Sequence, residues 1–196
     1  MNRSLSTFQP MAILRTFTRA VFVAILLALS APVDAGLIIV SGNPSGYMSA
    51  LDDAGLDPDN VMFNDPNLTR QGTTVEGTVN GSTERVTVTS STSLVAQTGQ
   101  GPISGETEDF FDLLFAPHPG NNNDAFRSLS FNLDANGNGP ADFELTFYDD
   151  NGDEIANELI QATRTNGNFF VGLIGTDAWS FSSVALTSSV ALDSAS

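Results

Sequence analysis

Phe126-Arg-Ser-Leu-Ser-Phe-Asn-Leu133, Phe143-Glu-Leu-Thr-Phe-Tyr148, Asn168-Phe-Phe-Val-Gly-Leu-Ile174 and Trp179-Ser-Phe-Ser-Ser-Val-Ala-Leu-Thr187 follow one another along a single stretch of chain. Each run is short and rich in aromatic and branched residues. Glycine, asparagine and aspartate separate each from the next. Apolar runs of strand length bounded by such residues read as antiparallel strands joined by turns. Asp149-Asp-Asn-Gly-Asp153 is one tight turn between them, and Asn166-Gly167-Asn168 is another.

The pattern continues toward the N-terminus. Gly72-Thr-Thr-Val-Glu-Gly-Thr-Val79 and Glu84-Arg-Val-Thr-Val-Thr-Ser90 flank Asn80-Gly81, a strong hairpin signal because both turn residues tolerate positive φ. A period of two puts Val86 and Val88 on one face and Arg85, Thr87 and Thr89 on the other. Such a pair is half buried and belongs to an antiparallel sheet. Phe110-Phe-Asp-Leu-Leu-Phe115 is a further strand, ended by Ala116-Pro-His-Pro119 and the polar run Asn121-Asn-Asn-Asp124. Residues 36–40 and Val61-Met-Phe63 are shorter candidates. Tyr47-Met-Ser-Ala-Leu51 fits one short helical turn capped by Ser45. Residues 93–105 read as a looser segment with a Gly99-Gln-Gly-Pro102 loop. About ten short strands with regular turn signals predict an all-β fold, an antiparallel β-sandwich or jelly-roll. No fixed repeat length points to a solenoid.

Residues 1–35 have the form of a secretory signal. Arg15 and Arg19 give a positive start, Ala20-Val-Phe-Val-Ala-Ile-Leu-Leu-Ala-Leu29 an apolar centre, and Val33-Asp34-Ala35 a cleavage site before Gly36. The apolar run is short for a membrane span. The expected organisation is therefore a signal-peptide helix over 1–35 and one β-sandwich domain over 36–196, with the last residues disordered. Export to the extracellular side follows, with periplasmic retention as the other destination. No membrane span is expected in the mature chain.

Charge narrows the partners. The chain has 23 acidic residues against 7 arginines, and no lysine. Beyond Ala35 four arginines and 22 acids remain, a net charge of −18. So negative a surface repels phosphate backbones, which excludes nucleic acid as an expected partner. It suits solubility, cation binding or a salty medium. Cysteine is absent, which removes disulfides, thiolate nucleophiles and cysteine metal sites.

Asn60-Val-Met-Phe63, Gly72-Thr-Thr-Val-Glu-Gly77 and Val86-Thr-Val-Thr-Ser90 with Leu94 resemble the first half of a group of secreted bacterial β-sandwich proteins. The later order of Phe126-to-Leu133, Gly167-Asn-Phe-Phe170 and the closing strand from Trp179 to Ser188 resembles the same group. Many of its members carry a C-terminal exosortase-type sorting tail with a Pro-Glu-Pro motif, which is missing from this sequence. The resemblance implies export and a sandwich fold. It implies no particular chemistry, because the group has no assigned general activity.

The richest acidic cluster is Asp134-Ala-Asn136-Gly-Asn138-Gly-Pro-Ala-Asp142, followed one hairpin later by Asp149, Asp150, Asn151, Asp153 and Glu154. Calcium takes six to eight hard oxygens. Asp134, Asn136, Asn138 and Asp142 are the candidate ligands, with calcium the candidate cofactor. Glu144 falls at position eleven of the loop rather than twelve and lies in a strand pattern, so the loop is not an EF-hand. The competing reading is a pair of solvated turns. His118 is the sole histidine, set between Pro117 and Pro119. No Gly-x-Ser-x-Gly elbow supplies it with a nucleophile, and a zinc site from one histidine and no cysteine is unusual. Paired carboxylates serve glycoside cleavage, but 22 acids guarantee chance pairs, and Asp142 and Glu144 beside Phe143 fit only loosely.

Sugar binding needs exposed amphipathic rings. Fourteen of the 17 aromatics are phenylalanine, so Trp179 and Tyr148 are the candidate ligand-binding residues. The competing reading puts Trp179 in the core. The leading expectation is a secreted, non-enzymatic protein with a structural or interaction role at the cell surface or in the extracellular matrix. Its expected partners are polysaccharide or cell-surface components. The alternative is a carbohydrate-binding module stabilised by calcium; the second alternative is an extracellular glycan-acting enzyme.

Overall fold

Side chains that alternate in the sequence alternate in burial. Val86, Val88, Leu94 and Ala96 are buried, while Arg85, Thr87 and Thr89 between or beside them are partly exposed. A computed structural model describes residues 36–121, 125–135, 137–164, 167–176 and 179–196. The expected signal-peptide helix lies outside the described residues, as do Asn136, Asn166, Asp177 and residues 122–124. The described residues form strands β1 (Leu37–Ser41), β2 (Val61–Met62), β3 (Gln71–Val79), β4 (Arg85–Ala96), β5 (Ile103–Gly105) and β6 (Phe110–Pro117). They continue as β7 (Ser128–Ala135), β8 (Gly139–Tyr148), β9 (Glu154–Arg164), β10 (Asn168–Gly175) and β11 (Ser183–Ala195). One helix, α1 (Pro44–Asp53), is described. The all-β expectation holds. No helix of the described residues is long and apolar enough to cross a membrane.

The strand pairings are all antiparallel. They follow the path β1-β10-β7-β11-β5-β4-β3-β2, with β6 bridging β11 and β4, β8 on β11, and β9 on β8. Strands β11, β5, β4 and β6 thus close a four-strand ring. Strand β11 serves two sets of neighbours. Its first half, residues 183–188, pairs with β8 and β6; its second half pairs with β7 and β5, and Leu192 keeps one pairing to β6 at Phe110. The switch sits where Ser188, buried, donates its hydroxyl to the Val190 carbonyl at 2.6 Å and accepts the Val190 N–H at 3.2 Å. A side chain that bonds its own backbone two residues on takes over ladder partners and kinks the strand.

Three local expectations need correction. The segment 93–105 is not loose. Strand β4 runs on to Ala96 and pairs with both β3 and β5, because Leu94 and Ala96 bury while Val95 faces the other way. The closing strand does not end at Thr187 either: β11 reaches Ala195, with Leu192 and Ala195 buried. The helical turn near Tyr47 is a ten-residue helix capped by Asn43, not Ser45. The Asn43 side chain accepts the Gly46 N–H at 3.0 Å, and Pro44 opens the first turn, where its missing N–H costs nothing.

One apolar cluster gathers Phe115, Phe131, Phe143, Phe147, Phe181, Leu133, Leu145 and Leu186 with residues from nine strands. Phe115 stacks on Phe131 at 4.8 Å between ring centres. A second, small cluster holds Tyr47 and Leu51 of α1 against Ile174, Phe170 and Val40 on β10 and β1.

The β8–β9 turn is held by Asp149. Its carboxylate accepts the N–H groups of Asn151 and Asp153, each at 2.9 Å. The Asp153 N–H does most to hold the Asp149 pKa below its ordinary value; desolvation opposes it and the Asn151 bonds assist. A folded-state pKa below the unfolded one means that the ionised carboxylate favours the fold. That contribution is present above the unfolded value of 3.8 and disappears as pH falls through the folded pKa. Asp149→Asn keeps the acceptor and removes the charge. The melting difference between wild type and this variant is expected to be largest at neutral pH and to shrink below about pH 4, as scanning calorimetry across pH would show.

Candidate functional site

The strands β3, β4, β6, β11, β8 and β9 bury most of their large apolar side chains and turn outward a mixed face, in which threonine and other polar residues alternate with the exposed Leu114 and Leu159. The register fixes one continuous outer row. Thr74 lies beside Thr89, Thr89 beside Leu114, Leu114 beside Ala185, Ala185 beside Thr146, and Thr146 beside Asn157. A neighbouring row runs Asp112, Thr187, Glu144, Leu159. Six strands at their usual spacing of about 4.8 Å make a face roughly 24 Å across. Helix α1, the only described helix, lies elsewhere, on β1 and β10.

The row is ordered by its own contacts. The Thr74 and Thr89 hydroxyls are 2.9 Å apart, and Thr87 donates to the Ala116 carbonyl at 3.1 Å. Asn157 donates to Glu144 Oε1 at 2.9 Å and to Thr146 Oγ1 at 3.1 Å. Asp112 accepts the Ser91 N–H at 2.8 Å and its hydroxyl at 2.5 Å. Both acids, Asp112 and Glu144, thus have hydrogen-bond partners on the neighbouring strands.

One rim of the face carries most of its ionic chemistry. Arg85 Nη1 and His118 Nε2 each lie 3.9 Å from an oxygen of Glu76. Asn121 clamps the Arg85 backbone, accepting its N–H at 2.9 Å and donating to its carbonyl at 2.7 Å. The Gly120 N–H donates to His118 Nδ1 at 3.0 Å, so the neutral ring carries its proton on Nε2, toward Glu76. Among the described residues no hydroxyl bonds the His118 ring. A general base without a nucleophile in reach does not make a nucleophilic centre.

The sequence candidates scatter. Trp179 does not open a strand; it precedes β11, and its N–H donates to the Thr176 carbonyl at 3.0 Å. Its half-buried ring packs on Phe147 and Phe181 at 5.8 and 5.7 Å between centres, on the core side. Tyr148 follows Phe147 in β8 and so faces the opposite way, outward beside Ser183. The structure does not bring the two rings together. Asp134 sits in β7, in register with Asn168 and Ser194; Asp142 sits in β8, opposite Gln161, with its N–H on Ser189. Each faces away from the core on strands that pair with different halves of β11. Asn138 lies in the connection between them, and Asn136 lies outside the described residues. No group of three or more histidine, aspartate or glutamate side chains is placed to hold a metal ion among the described residues.

Residue type hid the face. Threonine, alanine and asparagine at alternate positions are ordinary outward residues, and only the pairing order lines them up across six strands. The one local signal was the outward set Arg85, Thr87 and Thr89 in β4.

Comparison with protein-family models, curated proteins and solved structures gives no match. The functional reading rests on the face itself.

Proposed function

We propose that this is a secreted, non-enzymatic protein that acts at the cell surface or in the extracellular matrix as an interaction module. The observation that carries the reading is the registered outer row from Thr74 to Asn157. A wide, open face of threonine and other polar side chains with the exposed Leu114 and Leu159 among them suits an extended partner rather than a small molecule in a cleft. In its finer architecture the domain is a jelly-roll-like sandwich. One layer is β9-β8-β11-β6-β4-β3 and the other is β1-β10-β7-β11-β5-β4, with β11 and β4 serving both. The larger apolar cluster, lined by strands of both sets, supports that reading.

The second reading is a carbohydrate-binding module. Tyr148 favours it, being an amphipathic ring on the outer face among hydroxyl-bearing neighbours. Trp179 gives it no support. Calcium remains a proposal attached to this reading, with Asp134, Asn138 and Asp142 as its described candidates.

The test is sedimentation of the protein with insoluble polysaccharides and with isolated extracellular matrix. Paired substitution Thr146→Arg and Ala185→Arg is expected to weaken capture at least about tenfold, the scale of losing a central contact patch. Met48→Arg on α1 should leave capture unchanged. Loss confined to Tyr148→Ala and to one polysaccharide would select the carbohydrate-binding reading. Release of soluble sugar, abolished by one carboxylate substitution, would instead show a glycan-acting enzyme.

A further inference from the structure

Three strands have one edge without a strand partner among the described residues: β1, β2 and β9 each pair with one neighbour only. Natural sheets blunt such edges by keeping them short. Strand β1 has 5 residues and β2 has 2. Strand β9 breaks that habit. It has 11 residues and lies in near-continuous register with β8 from Gly139 to Phe147, with one irregularity at its start near Ile155. It also carries the most exposed of the large apolar side chains, Leu159 at 60%, and a second, Ile155.

The geometry points to β9 as a homotypic edge, on which the β9 of a second copy of this chain adds in antiparallel register about a twofold axis at Leu159. The sequence Ala156-Asn-Glu-Leu-Ile-Gln-Ala162 is near-symmetric about that residue, apart from Glu158 and Ile160. Leu159 meets Leu159 of the other copy, Asn157 meets Gln161, and Ala156 meets Ala162. Leu159, Asn157 and Gln161 all face outward, opposite Glu144, Thr146 and Asp142. Ala156 and Ala162 face the core side. Every cross-strand pair therefore joins like faces, as a sheet requires. A symmetric pair of this kind closes on itself and does not propagate. It would also extend the outer face from six strands to twelve.

One group opposes the pairing. Glu158 faces the core side of β9, opposite Leu145, and is exposed at the edge. In the twofold pair it lies beside Ile160 of the other copy and diagonal to Glu158 of that copy, where like charges repel. The net charge of −18 beyond Ala35 adds a broader repulsion. Both are screened by salt. An interface of one strand pair is also smaller than a stable dimer needs. The association is accordingly weak, concentration-dependent and strengthened by ionic strength, unlike one held by salt bridges.

Sedimentation velocity over a concentration series tests it, using the exported chain at low and high sodium chloride. The expected result is a monomer–dimer equilibrium at least about tenfold tighter at high salt. Leu159→Asp should abolish dimers at both salts. Leu114→Asp makes the same charge change on the same face away from the edge and should leave them intact. Glu158→Gln should raise the dimer fraction at low salt. Circular dichroism and melting confirm that each variant folds; Leu159 and Leu114 are exposed enough for that. A monomer at every concentration in high salt overturns the proposal. So does a dimer that Leu159→Asp leaves unchanged, or one that both aspartate variants weaken equally, which would mean contact through the face.

Discussion

Phe147→Ala is expected to cost about 3–5 kcal/mol of stability, the usual range for deleting a fully buried phenylalanine. Phe147 has no exposed surface. Its ring meets Phe181 edge-on at 5.3 Å and Trp179 at 5.8 Å. Its backbone is in register with Val184 on one side and Ala156 on the other, so these flanking strands cannot close on the vacated space without breaking a ladder. Part of the cost is transfer of the ring and part is the cavity left behind. For a domain of this size the melting midpoint should fall by roughly 10 °C. Tyr148→Ala, one residue on and facing outward, should cost under about 1 kcal/mol. The pair measures alternation directly. Equal costs at 147 and 148 would mean that β8 does not divide core from surface as described.

That alternation was legible from the chain alone. Val86 and Val88, Phe131 and Leu133, and Phe143, Leu145 and Phe147 recur at period two, and all are buried. Sequence periodicity reports which face a residue takes, not which strand lies beside it. The contacts of Leu192 with Phe110 and of Ala195 with Ile103 join segments about 80 and 90 residues apart, and nothing local encodes them. The end of β11 was missed for a further reason. The burial alternation holds through Val184, Leu186, Ser188 and Leu192. It slips by one only between Leu192 and Ala195, in a run of serine, alanine and aspartate too poor in large apolar residues to show a period. In β4 the run Ser90-Ser-Thr-Ser93 looks like a loop by composition, yet Ser90 is buried and its hydroxyl is served by Thr92 and Asp112.

The candidate site was less legible than the fold, for a related cause. Trp179 was picked for its chemistry, but its position outside any strand leaves no period from which to read its direction. Tyr148 sits in a strand, and its outward direction follows from Phe147. The outer row needed both the face of each residue and the order of six strands. Only the first of these is local.

Gly172→Val sets two effects of opposite sign against each other. Valine is among the best strand formers, and propensity alone would favour it in β10 by up to about 1 kcal/mol. Gly172 lies mid-strand, in register with Val40 on β1 and Ser130 on β7. A Cβ built there runs into the ring of Tyr47, which leaves that space to no side chain. Tyr47 is buried, and burial pushes its pKa up even as its hydroxyl bonds Ser128 and Ser130. The ring cannot swing aside without giving up those bonds and the edge contact with Phe170 at 5.6 Å. Overpacking costs about 1–3 kcal/mol and exposing a large apolar side chain about 1.5–3 kcal/mol. Sterics therefore win, for a net loss of about 3 kcal/mol, and α1 should leave the sheet first. Hydrogen exchange should show amides of residues 47–54 losing protection while those of β8 and β11 keep theirs. Tyr47→Ala makes room for the valine, so in that background Gly172→Val should cost at least about 1 kcal/mol less. A Gly172→Val variant as stable as wild type, or equally costly with and without Tyr47, would show that α1 is not held by this contact.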